Sequence, residues 1–328
     1  MSKYEYNWSD LAFGSKKPLK DLNATFFSVS REISASRFKQ LVKEYLPQRN
    51  LVVAIANEEY IKGFENQPQF KTLQLNDIQS VVDKVNSSAS PHKITVLRCN
   101  QSDIVPILEK IKFRFALFIN GSWLHSFHMR PEYYALVSNS ISFKLVSPFV
   151  DEAEAKAYAV KFQSKISLCS VPLSEIEIMK LTNEVAKKSF ANEHQTGVVI
   201  ANRIGSRYKP MVYAHNTTVP FETFAWHNGA SRERHLSPMG DLNNYDTNHA
   251  EVTALIKAQK EKIDLVGTSL FINLLPCPTC ARMLCETDIA EIVYSLDHSD
   301  GYAVSLLEKA GKAVRRLIVE NDIIAKEG

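Results

Sequence analysis

Two short motifs in the last third of the chain constrain its fold and chemistry more than any other feature. One is His249-Ala250-Glu251, and the other is Cys277-Pro278-Thr279-Cys280, which follows a proline. Zinc binds neutral imidazole and thiolate side chains in a tetrahedron, and a catalytic site keeps three protein ligands so that water takes the fourth position. His249, Cys277 and Cys280 supply that number of ligands. We therefore predict that these three residues bind one Zn²⁺ per chain.

Glu251 is the predicted proton carrier of this site. It lies two residues past His249, within reach of the zinc-bound water and of a departing nitrogen, so it takes a proton from one and delivers it to the other. Two other interpretations exist: Glu251 closes a capping box with Asn248, or the cysteine pair is half of a structural zinc knuckle. A knuckle needs a second CxxC or an HxxxH, which the sequence lacks, so the catalytic interpretation is favoured.

The two motifs lie in a regular succession of predicted helices and strands. A capping box at Ser174 and Glu177 opens a helix that extends to about Phe190. Short strands are predicted at 197–201 and 210–214, followed by a long irregular stretch at 216–248. Helices are then predicted at 249–260, 277–286 and 302–310, and strands at 268–275, 289–295 and 313–319. Both zinc-ligand groups thus fall at helix starts, where the backbone favours thiolates.

From about Ser174 to Val319 the chain resembles the zinc-dependent cytidine, deoxycytidylate and tRNA-adenosine deaminase superfamily, on the segments Thr-Asn-His-Ala-Glu (247–251) and Leu-Pro-Cys-Pro-Thr-Cys-Ala (275–281). The resemblance implies a three-layer α/β/α fold with a five-strand mixed sheet, in which the last two strands are parallel. It also implies that Asn216 and the main chain of Ala250 contact the substrate. A turn-forming role for Asn216 stays open.

The front part of the chain is predicted to be a separate α/β domain, residues 1–165, whose role is either assembly or substrate docking. Strands are predicted at 25–29, 51–55, 94–98, 115–119 and 142–147, with helices opening near Ser34, Asp77 and Asp103. No glycine-rich phosphate loop follows any of these strands. A connecting helix at 151–165 leads to a boundary at 170–172, so the deaminase domain is predicted to span 170–328.

Charge and aromatic content guide the prediction of substrate. Residues 1–165 hold 22 Lys and Arg against 16 Asp and Glu, a net of +6, and the remaining residues hold 17 against 20, a net of −3, which together give the +3 of the whole chain. The stretch 216–248 contains Phe224, Trp226, Arg232 and Arg234, which are able to stack on a base and pair with phosphate. They are equally able to form a hydrophobic plug with a charged rim.

These features predict hydrolytic deamination of adenine or cytosine in single-stranded RNA or DNA, or in tRNA. The first alternative is deamination of a free base, nucleoside or nucleotide, of the guanine, cytidine or dCMP type. The second is a non-catalytic zinc-binding partner subunit. The resemblance further implies a homo-oligomer, expected to be a dimer.

Cysteine use and hydropathy predict a cytoplasmic protein without a membrane partner. The five cysteines are sparse and include one tight pair, which suits a metal site in a reducing compartment better than a disulfide framework. Cys285 is predicted to be a core thiol. No apolar run reaches about 18 residues, and the first 20 residues are polar rather than a secretory leader.

Overall fold

The computed structural model describes residues 4–13, 23–162, 171–238, 241–297 and 301–319. They form two compact units. The first comprises Met1–Val160 and Thr223–Asp246, and the second comprises Lys161–Glu222 and Thr247–Gly328. The segment 223–246, predicted to belong with residues 170–328, is thus part of the first unit. The end of the predicted connecting helix and the first residue of the predicted boundary at 170–172 lie outside the described residues.

The first unit is an α/β structure with a six-strand, fully parallel sheet. Its strands are β1 (Glu5–Asn7), β2 (Ala24–Val29), β3 (Asn50–Ala56), β4 (Ile94–Cys99), β5 (Phe115–Ile119) and β6 (Ser142–Val146), in the order β1-β4-β3-β2-β5-β6. The five predicted strands are therefore confirmed. The sequence missed β1, whose three residues are too few to show a strand pattern.

Helices cover both faces of this sheet. They are α1 (Trp8–Phe13), α2 (Ala35–Tyr45), α3 (Leu75–Ser87), α4 (Ile104–Lys110), α5 (Pro131–Ser138) and α6 (Glu152–Val160). Successive side chains of a strand point to opposite faces. Phe27 accordingly packs in one core cluster with α2 and α3, and Phe26 packs in another with α4 and α5. The predicted N-cap at Ser34 accepts a hydrogen bond from Arg37 N at 3.1 Å.

The segment 223–246 folds onto the first unit instead of forming an irregular loop. It contains α8 (Phe224–Asn228) and α9 (Ser231–His235), so the prediction of an irregular stretch was wrong here. Trp226 is only 1% exposed, and the Arg31 guanidinium lies 3.7 Å from its ring centroid. Helices of five residues are too short to show a clear periodicity, and their stability comes from such packing.

The second unit has a five-strand mixed sheet, as predicted. Its strands are β7 (Gly197–Ile204), β8 (Arg207–His215), β11 (Ser269–Leu274), β12 (Glu291–Leu296) and β13 (Ala313–Arg316), in the order β13-β12-β11-β7-β8. The strands β11, β12 and β13 run parallel to one another, whereas β7 is antiparallel to both of its neighbours. The two-residue strands β9 (Thr217–Thr218) and β10 (Thr247–Asn248) pair separately.

Helices on both faces of this sheet complete the predicted three layers. They are α7 (Glu175–Ala186), α10 (Ala250–Glu261), α11 (Pro278–Cys285) and α12 (Tyr302–Lys309). The cluster on one face contains residues of α10, α11 and α12, and the cluster on the other contains residues of α7. The capping box of Ser174 and Glu177 opens α7 as predicted. No helix among the described residues is long and apolar enough to span a membrane.

Candidate metal centre

The three predicted zinc ligands lie at the starts of two helices. His249 is the N-cap of α10, and Cys277 is the N-cap of α11, where its sulfur accepts a hydrogen bond from Cys280 N at 3.4 Å. Both helices pack on the same face of the second sheet. Ala250 and Ala254 are completely buried in that cluster, and such small side chains allow α10 to lie close to the strands.

The distances between the ligand atoms fit a tetrahedral zinc ion. His249 Nδ1 lies 3.6 Å from Cys277 Sγ and 3.3 Å from Cys280 Sγ. The three ligand atoms all lie within 4.8 Å of one another. Typical Zn–S and Zn–N bonds of about 2.3 and 2.05 Å, at a tetrahedral angle, place nitrogen and sulfur about 3.6 Å apart. One imidazole and two thiols at this spacing are therefore a site for one zinc ion.

The protonation of these ligands reflects their close contact. A hydrogen bond with Cys280 lowers the pKa of Cys277, and the same contact raises the pKa of Cys280. A hydrogen bond with Cys277 is the largest cause that raises the pKa of His249, and the charges of Glu251 and Glu193 add to it. The cluster thus concentrates negative charge around the imidazole. A bound dication stabilises deprotonated thiols directly.

Glu251 is buried beside the three ligands. Its residue is only 3% exposed, and burial is the largest cause that raises the pKa of its carboxyl group. The carboxyl group also contacts the Cys280 side chain. A carboxyl group whose pKa is raised by burial exchanges protons more readily near neutral pH than a solvated one. The structure therefore places the predicted proton carrier in a suitable environment.

Asn216 directly follows β8. Its side chain forms hydrogen bonds with two backbone groups of the loop that precedes β7. Its Oδ1 accepts a hydrogen bond from Thr196 N at 2.9 Å, and its Nδ2 donates one to His194 O at 2.8 Å. Its backbone nitrogen also donates to Thr196 O. These bonds give Asn216 a structural role in the second unit. Substrate contact by Asn216 and by the main chain of Ala250 stays a prediction.

A second asparagine, which the sequence analysis missed, holds the same loop. Asn273 in β11 accepts a hydrogen bond from Gly197 N and donates one to Gln195 O, each at 2.8 Å. Two asparagines thus fix the segment 194–197. The same loop begins near Glu193, whose charge raises the pKa of His249. A polar Asn inside the apolar strand Ser269–Leu274 is the signal that identifies Asn273.

The remaining predicted substrate contacts lie in the first unit. Phe224 is half-buried, Trp226 and Arg232 are buried, and Arg234 is exposed. The Arg232 guanidinium donates to Pro238 O and lies 5.0 Å from the Tyr245 ring centroid. The ring of Trp226 and the guanidinium of Arg232 therefore already have partners within the first unit. Contact of these four residues with substrate stays a prediction.

Among the described residues, the group of possible metal ligands does not include Cys285, the last residue of α11. Cys285 is half-buried and packs against the core cluster of α10, α11 and α12. Among the described residues, the only group of three or more His, Cys, Asp and Glu able to hold a metal ion is that of His249, Cys277 and Cys280.

Comparison with known proteins identifies the region around this site. The family model of the cytidine and deoxycytidylate deaminase zinc-binding region matches residues 174–296. Deoxycytidylate deaminase of Saccharomyces cerevisiae is 29% identical over 142 residues, which cover 42% of this chain and 43% of that protein. Probable deoxycytidylate deaminase of Drosophila melanogaster is 29% identical over 91 residues, which cover 28% of this chain and 42% of that protein.

Among solved structures, that of dCMP deaminase from the cyanophage S-TIM5 in its apo form is 20% identical to this chain. It covers 43% of this chain and 96% of its own, with a TM-score of 0.32. The chain spans less than half the length of the two curated relatives it matches. Residues 174–296, which include His249, Glu251, Cys277 and Cys280, thus form a zinc-binding region of the cytidine and deoxycytidylate deaminase type.

Proposed function

We propose that the protein is a zinc-dependent hydrolase that deaminates the base of a free nucleotide of the deoxycytidylate type. The observation that carries the proposal is the geometry of His249, Cys277 and Cys280, with Glu251 buried beside them. This arrangement provides three metal ligands and one group able to transfer protons. Hydrolytic deamination of a nucleobase needs both.

The nucleotide is favoured over the nucleic-acid substrate predicted first from the sequence. The two curated relatives described above, from Saccharomyces cerevisiae and Drosophila melanogaster, are named for deoxycytidylate. The nucleic-acid prediction depended on the basic front half of the chain and on aromatic and basic side chains at 216–248. Of these side chains, Trp226 and Arg232 are buried in the first unit. A buried indole stacked against Arg31 offers no open face to a base of a single strand.

Each side chain of the site has a distinct role in this reaction. His249, Cys277 and Cys280 hold the metal ion. A zinc ion bound there would act as a Lewis acid and would lower the pKa of its bound water to near 7. Glu251 takes a proton from water as oxygen adds to the amino-bearing carbon, and it delivers this proton to the adjacent ring nitrogen. It then moves the proton of the new hydroxyl group to the amino group, which leaves as ammonia.

The environment of Glu251 suits these two transfers. Burial raises the pKa of its carboxyl group, so the protonated form, which must donate, is less unfavourable than it is in water. Burial also excludes bulk water, which strengthens interactions with charge that develops during the reaction. The loop held by Asn216 and Asn273 leads directly into β7 of the same unit.

A substrate panel tests the proposal. Purified full-length protein, loaded with zinc, is assayed for ammonia release from dCMP, CMP, deoxycytidine, cytosine, guanine, dAMP and short single-stranded DNA and RNA. We expect dCMP to have the largest kcat/KM of the panel.

Other outcomes of the panel contradict the proposal in distinguishable ways. A larger kcat/KM on the oligonucleotides would favour the nucleic-acid substrate. A larger kcat/KM on free bases or nucleosides would show that the protein does not need the nucleotide phosphate to recognise its substrate. Zinc binding near one ion per chain with no ammonia from any substrate would instead favour a non-catalytic partner subunit.

A further inference from the structure

The first unit has the topology that creates a ligand site in open α/β sheets. From β2 the chain proceeds to β3 and β4 on one side, and it then returns to place β5 and β6 on the other side. The parallel neighbours β2 and β5 therefore have connections that leave in opposite directions. Ligands of such sheets bind in the crevice beyond the carboxyl ends of the strands, at the point where the strand order reverses.

A cavity of about 180 Å³, lined by both polar and apolar side chains, lies at this point. Ser28 and Ser30 at the end of β2 line it, together with Gln101 after β4, Ser122 and Trp123 after β5, and Lys62 after β3. At about 30 Å³ for each water in the liquid, the cavity has the volume of about six water molecules. It is therefore large enough for a small metabolite or for the terminal group of a larger one.

Three serines of the lining have hydroxyl groups whose hydrogen-bonding capacity the described residues leave partly unused. Ser28 Oγ and Ser30 Oγ lie 3.0 Å apart, and both residues are buried. Because one hydroxyl donates to the other, the pair keeps one O–H for a further acceptor. Ser122 Oγ is fully buried and has no hydrogen-bond partner among the described residues. A buried hydroxyl without a partner is destabilising, and a ligand that accepts its proton relieves that cost.

The charged side chains of the lining favour a phosphate group. Both nitrogens Nε and Nη2 of Arg130 lie 3.1 Å from carboxylate oxygens of Glu132, so this pair is neutral overall. Lys62 is the remaining cation of the lining. Carboxylates are best recognised by a planar guanidinium fork, and the fork of Arg130 is already occupied. A lysine point charge with several hydroxyl donors suits a tetrahedral phosphate.

The aromatic side chains that line the cavity are held in place by contacts within the protein. Trp123 Nε1 donates to Glu233 Oε1 at 3.3 Å, and Phe127 N donates to the same carboxylate. Phe127 also packs against the Trp123 ring, with centroids 4.9 Å apart. A wall that is already held by packing and hydrogen bonds loses little conformational freedom when a ligand binds.

We propose that the first unit binds a small phosphate compound in this cavity, either free phosphate or the phosphomonoester of a short sugar. The phosphate accepts hydrogen bonds from the serine hydroxyls and pairs with Lys62. The cavity is lined by residues of the first unit alone. Phosphate binding there can therefore be tested independently of the deaminase reaction.

Calorimetric titration of the full-length protein tests the proposal, with inorganic phosphate in one arm and ribose 5-phosphate in the other. We expect saturable binding of at least one of them at one site per chain. Lys62→Ala and Ser122→Ala should each weaken it by about fivefold or more. Lys39→Ala, an exposed change on α2, should leave it unchanged. Ser122→Ala should not lower Tm, because its hydroxyl has no partner to lose.

Two results would overturn the proposal. One is the absence of saturable binding in both arms at millimolar concentrations. The other is binding that Glu251→Gln abolishes while Lys62→Ala and Ser122→Ala leave it intact, because the phosphate then occupies the deaminase site. Tighter binding in one arm identifies whether free phosphate or a sugar phosphate is the ligand.

Discussion

Asn216 provides a test that separates a structural role from a role in substrate binding. Asn216→Ala removes the acceptor of Thr196 N and the donor to His194 O, at 2.9 and 2.8 Å. A buried or part-buried polar group that loses its partner costs about 1–3 kcal/mol. Partial replacement by water brings the total for both groups to about 2–4 kcal/mol. In a unit of this size that corresponds to a fall in Tm of about 4–16 °C.

Thermal unfolding, followed by calorimetry, measures this fall. Asn273→Ala is the matched control, since it removes equivalent bonds to Gly197 N and Gln195 O. We expect the two variants to lower Tm by similar amounts. At temperatures below the unfolding transitions of both variants, we expect the two substitutions to change kcat/KM by similar factors. A different result would be an Asn216→Ala variant with unchanged Tm and a KM raised at least tenfold, while Asn273→Ala keeps the wild-type KM. That result would refute a purely structural role of Asn216 and would favour direct contact with the substrate.

Two further predictions concern packing and thiol chemistry. A Cβ at Gly197 would lie 2.3 Å from Thr182 O and 2.6 Å from Ala186 N, so Gly197→Ala should force β7 away from α7. We expect it to destabilise the second unit by about 3 kcal/mol or more. A variant with unchanged Tm would show that this contact is not tight. Burial raises the pKa of the Cys99 thiol to about 12, so iodoacetamide at pH 8 should not alkylate it in the folded protein. Peptide mass spectrometry that finds Cys99 labelled before unfolding would contradict this.

Local sequence patterns predicted most elements because their physical causes are local. Ser174 and Glu177 form their capping box through neighbouring backbone donors, and β-branched runs such as 51–55 form strands wherever they can be buried. His249, Cys277 and Cys280 were found because zinc restricts both ligand type and helix position. The two motifs therefore predicted that residues distant in the sequence lie close together in the structure.

The errors arose where tertiary packing decides the outcome. Segment 223–246 has an irregular pattern, but burial of Trp226 against Arg31 fixes it to the first unit. Nothing local distinguishes that segment from a loop of the deaminase domain. The partnership of Asn216 with Thr196 and His194 likewise connects residues about 20 positions apart. Such contacts depend on the sheet register, which the sequence alone does not provide.

In the proposed reaction, Glu251 transfers protons during a zinc-dependent deamination. Glu251→Gln keeps the size of the side chain but cannot exchange a proton, and general acid–base catalysis contributes about 10²–10⁴-fold. Glu261→Gln, an exposed change near the end of the same helix, is the control. Measured with dCMP, ammonia release should fall by at least about 10² for Glu251→Gln, with zinc near one ion per chain and unchanged activity in the control. A Glu251→Gln variant that retains zinc and wild-type kcat would show that Glu251 does not transfer protons in this reaction.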